Sequence, residues 1–350
     1  MVIEAPMISG VAPRSAGMTV QTCVRMPPAA EPPDPRAFEA QVRLYRRALH
    51  VHCYRMLGSF SDADDVVQDT LLRAWRAWGS YDPETGEVGL RRWLYRIATN
   101  ASLDFLKSAA RRLTSTGSPH EVPWLQPYPD VLLDELPGTD AGPAGAAARK
   151  ETIALGYLAL IQLLPAQQRA VLVLRDVLGW SAAETAEALD VSVAAANSRL
   201  QRARDTIGQH ADPLATAESS SAPSGEERAV LAAFIDAHER GDAAASVALM
   251  SQHIRVTMPP HPVVYSGIAA LAPFLERAFG ADSMGEWRLV PAWANRQPAA
   301  VSYLRRPGDT AFRAFKIDVL RVTGSQIAEI TTFDASLVEA FGCAPTLEAP

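Results

Sequence analysis

"LPAQQRAVLVLRDVLGWSAAETAEALDVSVAAANSRLQRARDTI", from Leu164 to Ile207, packs helix starts, stops and a tight turn into one short segment. Pro165 suits the first position of a helix, and Gly179 suits its end. Ser181 with Glu184 forms a capping box for a second helix. Leu189, Asp190 and Val191 read as a short turn, and Ser192 caps a last helix. The apolar positions of that helix, Ala196, Leu200, Ala203 and Ile207, fall on one face. Two short helices joined through a tight turn make a helix-turn-helix. The opposite face offers Asn197, Ser198, Arg199, Gln201 and Arg202, side chains able to hydrogen-bond base edges in a major groove. A plain solvated helix pair also carries a polar face, so the rest of the chain has to decide.

Upstream, "GLRRWLYRIATNASLDFLKSAARR" (89–112) has helical apolar spacing at Leu90, Leu94, Ile97, Ala101 and Phe105. Its flank carries Arg91, Arg92, Arg96, Lys107, Arg111 and Arg112 against the single acid Asp104, with Trp93 and Asn100 among them. Cations hold phosphates, and aromatic or amide groups hold an unstacked base. Before it, "FEAQVRLYRRALHVHCYRMLG" (38–58) reads as one amphipathic helix ending at Gly58. Ser61 with Asp64 reads as the box that opens the next helix, which continues through Val67, Leu71, Trp75 and Trp78.

Composition limits the alternatives. With 350 residues, 48% hydrophobic content and 21% charged content, the chain has material for two or three domains with real cores. A net charge of −6 confines any nucleic-acid surface to a local patch. Cys23, Cys53 and Cys343 lie far apart without CxxC spacing, so neither a zinc site nor a disulfide framework is expected. No metal or cofactor site is expected. No apolar run of about 18 residues predicts a membrane span, and the start lacks signal-peptide features. These features fit a cytoplasmic protein.

Together the two helical blocks resemble the sigma-70 family of RNA polymerase sigma factors, region 2 in the upstream block and region 4 in the downstream one. Their order and the connection between them resemble the extracytoplasmic-function group. The resemblance implies core RNA polymerase and promoter DNA as partners. It places the minus-35 contacts on Arg175, Asn197, Ser198, Arg199, Gln201 and Arg202, with Arg175 on phosphate. It places the minus-10 contacts on Arg91, Arg92, Trp93, Arg96, Asn100 and Asp104, with residues 80–90 as a specificity loop and core packing as the competing role of Trp93. It places polymerase binding on Asp62, Asp65, Gln68, Asp69, Leu72, Arg73 and Trp75, although acids at a helix start also simply suit the dipole. Ala196 and Asn197 depart from the family, which usually has Val or Ile and a basic residue there, so minus-35 preference cannot be carried over from relatives.

The expected organisation is a disordered leader (1–35), an all-α region 2 (36–112), an acidic linker (113–148), an all-α region 4 (149–210), a second linker (211–225) and an α+β domain (226–340). The last shows two helices and then strand-like runs, and its element order with "HERGD" and "YSG" resembles the SnoaL-like cone. Such cones hold a pocket, here expected at Met258, Trp287, Trp293 and Tyr303, with room for an unknown small ligand. His253, His261, Asp318 and Asp334 are the available acid–base groups. No catalytic residue is expected: the leading reading is a sigma factor, not an enzyme, whose cone regulates it in cis. The competing readings are a plain DNA-binding transcriptional regulator and a sigma factor fused to a polyketide-cyclase- or isomerase-like enzyme.

Overall fold

A computed structural model of the chain describes residues 34–109, 124–134, 153–210, 224–280 and 283–348. The expected leader and most of both linkers lie outside these residues.

The first helical body contains α1 (Pro35–Arg43), α2 (Arg46–Leu57), α3 (Phe60–Arg76) and α4 (Gly86–Ala109). The stretch expected to be one helix over 38–58 is two. The chain tightens at Leu44 and Tyr45, where the Tyr45 amide bonds the Val42 carbonyl at 2.9 Å. The bend swings α1 back so that Phe38 meets Trp75 and Trp78 edge-on, at 5.2 and 5.1 Å. From Leu49 to Leu57 every residue of α2 is buried, so this helix is the axis of the body. It ends on Gly58 at φ +74°, where a side chain would be strained and would press on Gln162. The next cap is Ser59, whose Oγ accepts from the Asp62 amide at 3.2 Å. The expected cap, Ser61, instead gives its amide to the Gln126 side chain.

The second helical body contains α6 (Leu155–Gln162), α7 (Ala166–Leu172), α8 (Ala182–Ala188) and α9 (Val193–His210). Pro165, expected at the first helical position, lies just before α7, which starts at Ala166, and a π-helical turn over Val173–Val177 carries the chain to Gly179 at φ +71°. The Ser181/Glu184 capping box is formed, and Ser192 Oγ accepts from the Ala195 amide at 3.1 Å. Asp190 takes the left-handed conformation in the turn between α8 and α9. Ala196, Leu200 and Ala203 are buried, and Ile207 packs against the same core. Arg169 on α7 is 4% exposed and joins the two bodies. Its guanidinium donates to carbonyls of Ile161, Gln162, Leu164 and Met56 and to the Gln162 side chain.

The C-terminal body starts with α10 (Gly225–Glu239) and α11 (Ala243–Ala248). Next come β1 (Met250–Met258), β2 (His261–Ser266) and α12 (Ile268–Phe279). The strands β3 (Glu286–Ala294), β4 (Gln297–Arg305), β5 (Ala311–Thr323) and β6 (Gln326–Asp334) follow. A 3-10 stretch (Ala335–Phe341) and a short β7 (Thr346–Glu348), neither expected from sequence, close the chain onto β5. The order is β2-β1-β6-β5-β4-β3, antiparallel except for the β1–β6 pair. The alternation along each strand separates two faces. Trp287, Leu289, Ala300, Leu304 and Leu320 pack inward against α10, α12 and β1, while Val290, Ala299, Val301, Tyr303 and Ile317 face outward. Tyr303, expected in the pocket, therefore points away from it. Its hydroxyl donates to the Ala344 carbonyl at 2.8 Å.

The acidic linker contains a folded segment that its composition concealed. Trp124 to Asp134, with a short α5 (Asp130–Asp134), is gripped between the first helical body and the β3–β4 hairpin. Tyr128 is fully buried beside His50, Tyr54 and Phe60. The Gln126 amide bonds the Gly58 carbonyl at 3.0 Å, and Tyr54 donates to the Gln126 carbonyl at 2.7 Å. At the hairpin tip Asn295 and Arg296 both have positive φ (55° and 62°), the backbone of a tight two-residue turn. Asn295 is fully buried. Its Oδ1 accepts from the Tyr128 amide at 2.8 Å, and its Nδ2 donates to Tyr54 Oη at 3.0 Å and to the Ile153 carbonyl at 2.6 Å. Its own amide bonds the Tyr128 carbonyl at 2.9 Å. Arg296 adds a 2.6 Å ion pair with Asp134. One apolar cluster accordingly runs from the helical bodies to the outer face of the sheet.

Candidate nucleic-acid and polymerase interfaces

On α9 the residues expected to read bases stand clear of the core. Asn197, Ser198, Gln201 and Arg202 are exposed, and Arg199 is half-buried at the edge of the face. Local bonds hold them: Arg202 donates to Ser198 Oγ at 3.0 Å, and Gln201 to Asp205 at 3.3 Å. Asp176 and Arg204 make a two-pronged pair at 2.7 and 3.0 Å that ties α9 to the π-helical turn. Arg175 lies within that turn, half-buried, with one guanidinium nitrogen on the Trp180 carbonyl at 2.6 Å. The π-helical turn is a local irregularity of the kind that re-aims side chains at functional sites.

Part of the basic flank of α4 makes surface contacts with the second helical body. Arg92 pairs with Glu184 at 2.5 Å, Arg96 with Glu187 at 3.7 Å, and Asn100 Nδ2 donates to the Ala188 carbonyl at 3.3 Å. All three partners lie on α8, the first helix of the helix-turn-helix. Backbone and side-chain bonds from Ser181, with Arg92 adding its charge, hold the Glu184 carboxyl below the usual range. Arg91 points outward, its guanidinium over the Tyr95 ring at 5.6 Å. Trp93 is half-buried and packs edge-on against Trp78 and tilted against Tyr81, with ring centroids at 5.9 and 5.5 Å. Asp104 pairs with Arg73 at 2.7 Å, joining α3 to α4.

On α3, Asp65, Gln68 and Leu72 form an exposed row, with Leu72 54% exposed. Asp69 and Arg73 pair along the same face at 2.9 Å. Asp62 is half-buried, and burial raises its pKa. Trp75 is committed to Phe38 instead.

Inside the cone, Trp287 is buried, and Trp293 and Met258 pack against its cluster. Of the four acid–base candidates only Asp318 lies inside. It is 1% exposed and is bound by Lys316 Nζ and by Thr332 Oγ1, both at 2.7 Å. His253, His261 and Asp334 are exposed, and Asp334 caps the 3-10 stretch through the Ser336 amide. Sequence reasoning missed His238, whose position in a helical apolar pattern carried no distinguishing signal. Its Nδ1 lies 3.1 Å from the Phe234 carbonyl, and burial lowers its pKa to about 3. It has no hydrogen bond to Asp318 among the described residues, whose carboxylate is held by Lys316 and Thr332. Sequence reasoning also missed Asn295, Tyr128 and Arg169. No described helix is long and apolar enough to cross a membrane, and no cluster of described His, Cys, Asp and Glu residues is arranged to hold a metal.

Residues 41–112 match Sigma-70 region 2, residues 155–207 match Sigma-70 region 4, and residues 231–330 match the SnoaL-like domain. The chain is 39% identical to the ECF RNA polymerase sigma factor SigG of Mycobacterium tuberculosis, over 91% of this chain and 87% of that protein. It is 35% identical to SigJ of the same organism over 46% of this chain and 47% of that protein. The crystal structure of SigJ covers 86% of this chain and 96% of its own, with a TM-score of 0.53 at 23% identity, a likeness of fold. The chain therefore belongs to the extracytoplasmic-function RNA polymerase sigma factors and serves transcription initiation, with a SnoaL-like domain at its C-terminal end.

Proposed function

We propose that this sigma factor binds core polymerase through the exposed row of α3, reads the minus-35 element with α9 and takes hold of the minus-10 element with α4. We further infer that the cone holds the factor closed in cis. The observation that carries this reading is the pair of intramolecular contacts: α8 seated on Arg92, Arg96 and Asn100, and Asn295 of the cone seated on the segment that joins the two helical bodies. In the closed arrangement the minus-10 flank faces carboxylates instead of phosphates. Opening requires α8 to leave α4. The connecting segment is tied at Gln126, Tyr128 and Asp130, so that departure is coupled to the cone.

A regulator using only the helix-turn-helix gives no account of the α3 row or of the basic α4 flank. The tethered Asp318 and the exposed histidines weigh against a cone enzyme, and a small ligand would act only by preferring one arrangement over the other. The test is run-off transcription with core polymerase, in the cytoplasm-like reducing conditions that suit free Cys53, comparing the full chain with one ending at residue 210. A several-fold rise in activity on removal of the cone, at unchanged minus-35 preference, supports a cone that holds the factor closed, and a fall would contradict it. Equal activity would reject it.

A further inference from the structure

Val193 is the first residue of α9 and is 44% exposed, one of the few large apolar side chains left open among the described residues. It lies outside the buried stripe and the apolar clusters of the fold. The buried stripe of α9 is Ala196, Leu200 and Ala203, and the cap is supplied by Ser192. A β-branched residue is also a poor helix former, so local propensity does not account for it. Its neighbours along the exposed row are Asn197 and Gln201, each one turn further on. Side chains on a helix lean toward its N-terminus, so Val193 projects beyond the helix end. In a helix-turn-helix it is this end of the second helix that meets base edges in the major groove.

An apolar group at that point has one complementary feature in the groove, the C5 methyl of thymine. Ala194 and Ala195 beside it are small enough to let the end approach closely. We propose that Val193 is a specificity-determining residue that selects thymine at one position of the minus-35 element by contact with its methyl group. The inference rests on the reading of α9 as the minus-35 reader and adds the base that its first residue chooses.

The test uses the full-length chain with core polymerase on promoter DNA in which each minus-35 thymine is replaced singly by deoxyuridine, which removes the methyl and nothing else. Burying one methyl contact corresponds to roughly a four-fold effect on binding. Wild type should prefer thymine over deoxyuridine by about that factor at one position, and Val193→Ala should bind both equally there. Val193→Ser, which makes the exposed site polar, should likewise lose the preference for thymine. Arg202→Ala is the control for the underlying reading. If Arg202→Ala relaxes minus-35 preference while wild type ignores the methyl at every position, the Val193 assignment is wrong and the reading of α9 stands. The assignment also falls if Val193→Ala still discriminates. If neither Arg202→Ala nor Val193→Ala changes minus-35 dependence, both are overturned together.

Discussion

Replacing Asn295 by glycine removes the side chain while keeping the positive φ of the hairpin turn, so the backbone stays unstrained. The side chain makes three bonds across the junction, to the Tyr128 amide, the Tyr54 hydroxyl and the Ile153 carbonyl. Buried hydrogen bonds of this kind contribute about 1 kcal/mol each, and stranding a buried amide adds a further penalty. The docked arrangement should lose about 3 kcal/mol, which is roughly a hundred-fold in its equilibrium against the undocked one. Asn295→Ala should lose about 1 kcal/mol more, because alanine resists the left-handed conformation. Amide hydrogen exchange reads the effect locally. The Gln126 amide, bonded to Gly58, and the amide of residue 295, bonded to Tyr128, should exchange about a hundred times faster, with the inner amides of β5 unchanged. Unchanged exchange at both reporters would refute the assignment of the junction as the tie between cone and helices. Faster exchange throughout β5 would show instead that the cone itself had been damaged.

Further outcomes follow from the same geometry. Arg202→Ala should cost about 1–3 kcal/mol and relax one minus-35 position, whereas Arg175→Ala should weaken binding evenly and lower the salt slope by about one; competition binding over a salt series separates them. Asn100→Ala should leave polymerase association intact and reduce opening of the minus-10 region, read by permanganate reactivity of its thymines. Arg169→Met should destabilise the joined helical bodies by about 3–5 kcal/mol in urea unfolding, because it strands carbonyls of Ile161, Gln162, Leu164 and Met56. Burial lowers the pKa of His50 to about 4 and those of His52 and His238 to about 3. The unfolded chain protonates these groups near the ordinary value of 6.5 while the folded chain does not, so stability is full above that pH and declines as pH falls toward about 4 and then 3. Urea midpoints against pH should show this decline, shallower in His50→Gln, and a flat profile would contradict it.

The sequence made the helix-turn-helix legible because its signals are local. Ser181 with Glu184, Ser192 and Gly179 act within a few residues of themselves, and all took the expected roles. The β3 to β6 strands were legible for the same reason, by alternation. The break at Leu44 was not, since a turn inside an amphipathic pattern is set by what Phe38 must reach on α3. Tyr303 was assigned to the wrong face because an aromatic residue satisfies either side of a two-faced sheet. Asn295 and Tyr128 were invisible for a different reason. An asparagine in a tight hairpin turn is locally ordinary, and its burial comes from a partner 167 residues away in sequence. The pairing of Arg92 and Arg96 with Glu184 and Glu187 was hidden likewise, as surface charges show their partners only once the bodies are placed together.

Core polymerase reconstituted with the full-length chain and with its Asn295→Gly form, on a library of promoter fragments, measures both promoter-directed initiation and its restraint by the cone. Transcripts should depend on added factor, share one minus-35 and minus-10 pair, and rise several-fold in yield with Asn295→Gly at unchanged promoter choice. No association with core polymerase and no factor-dependent transcript from either form would contradict this expectation.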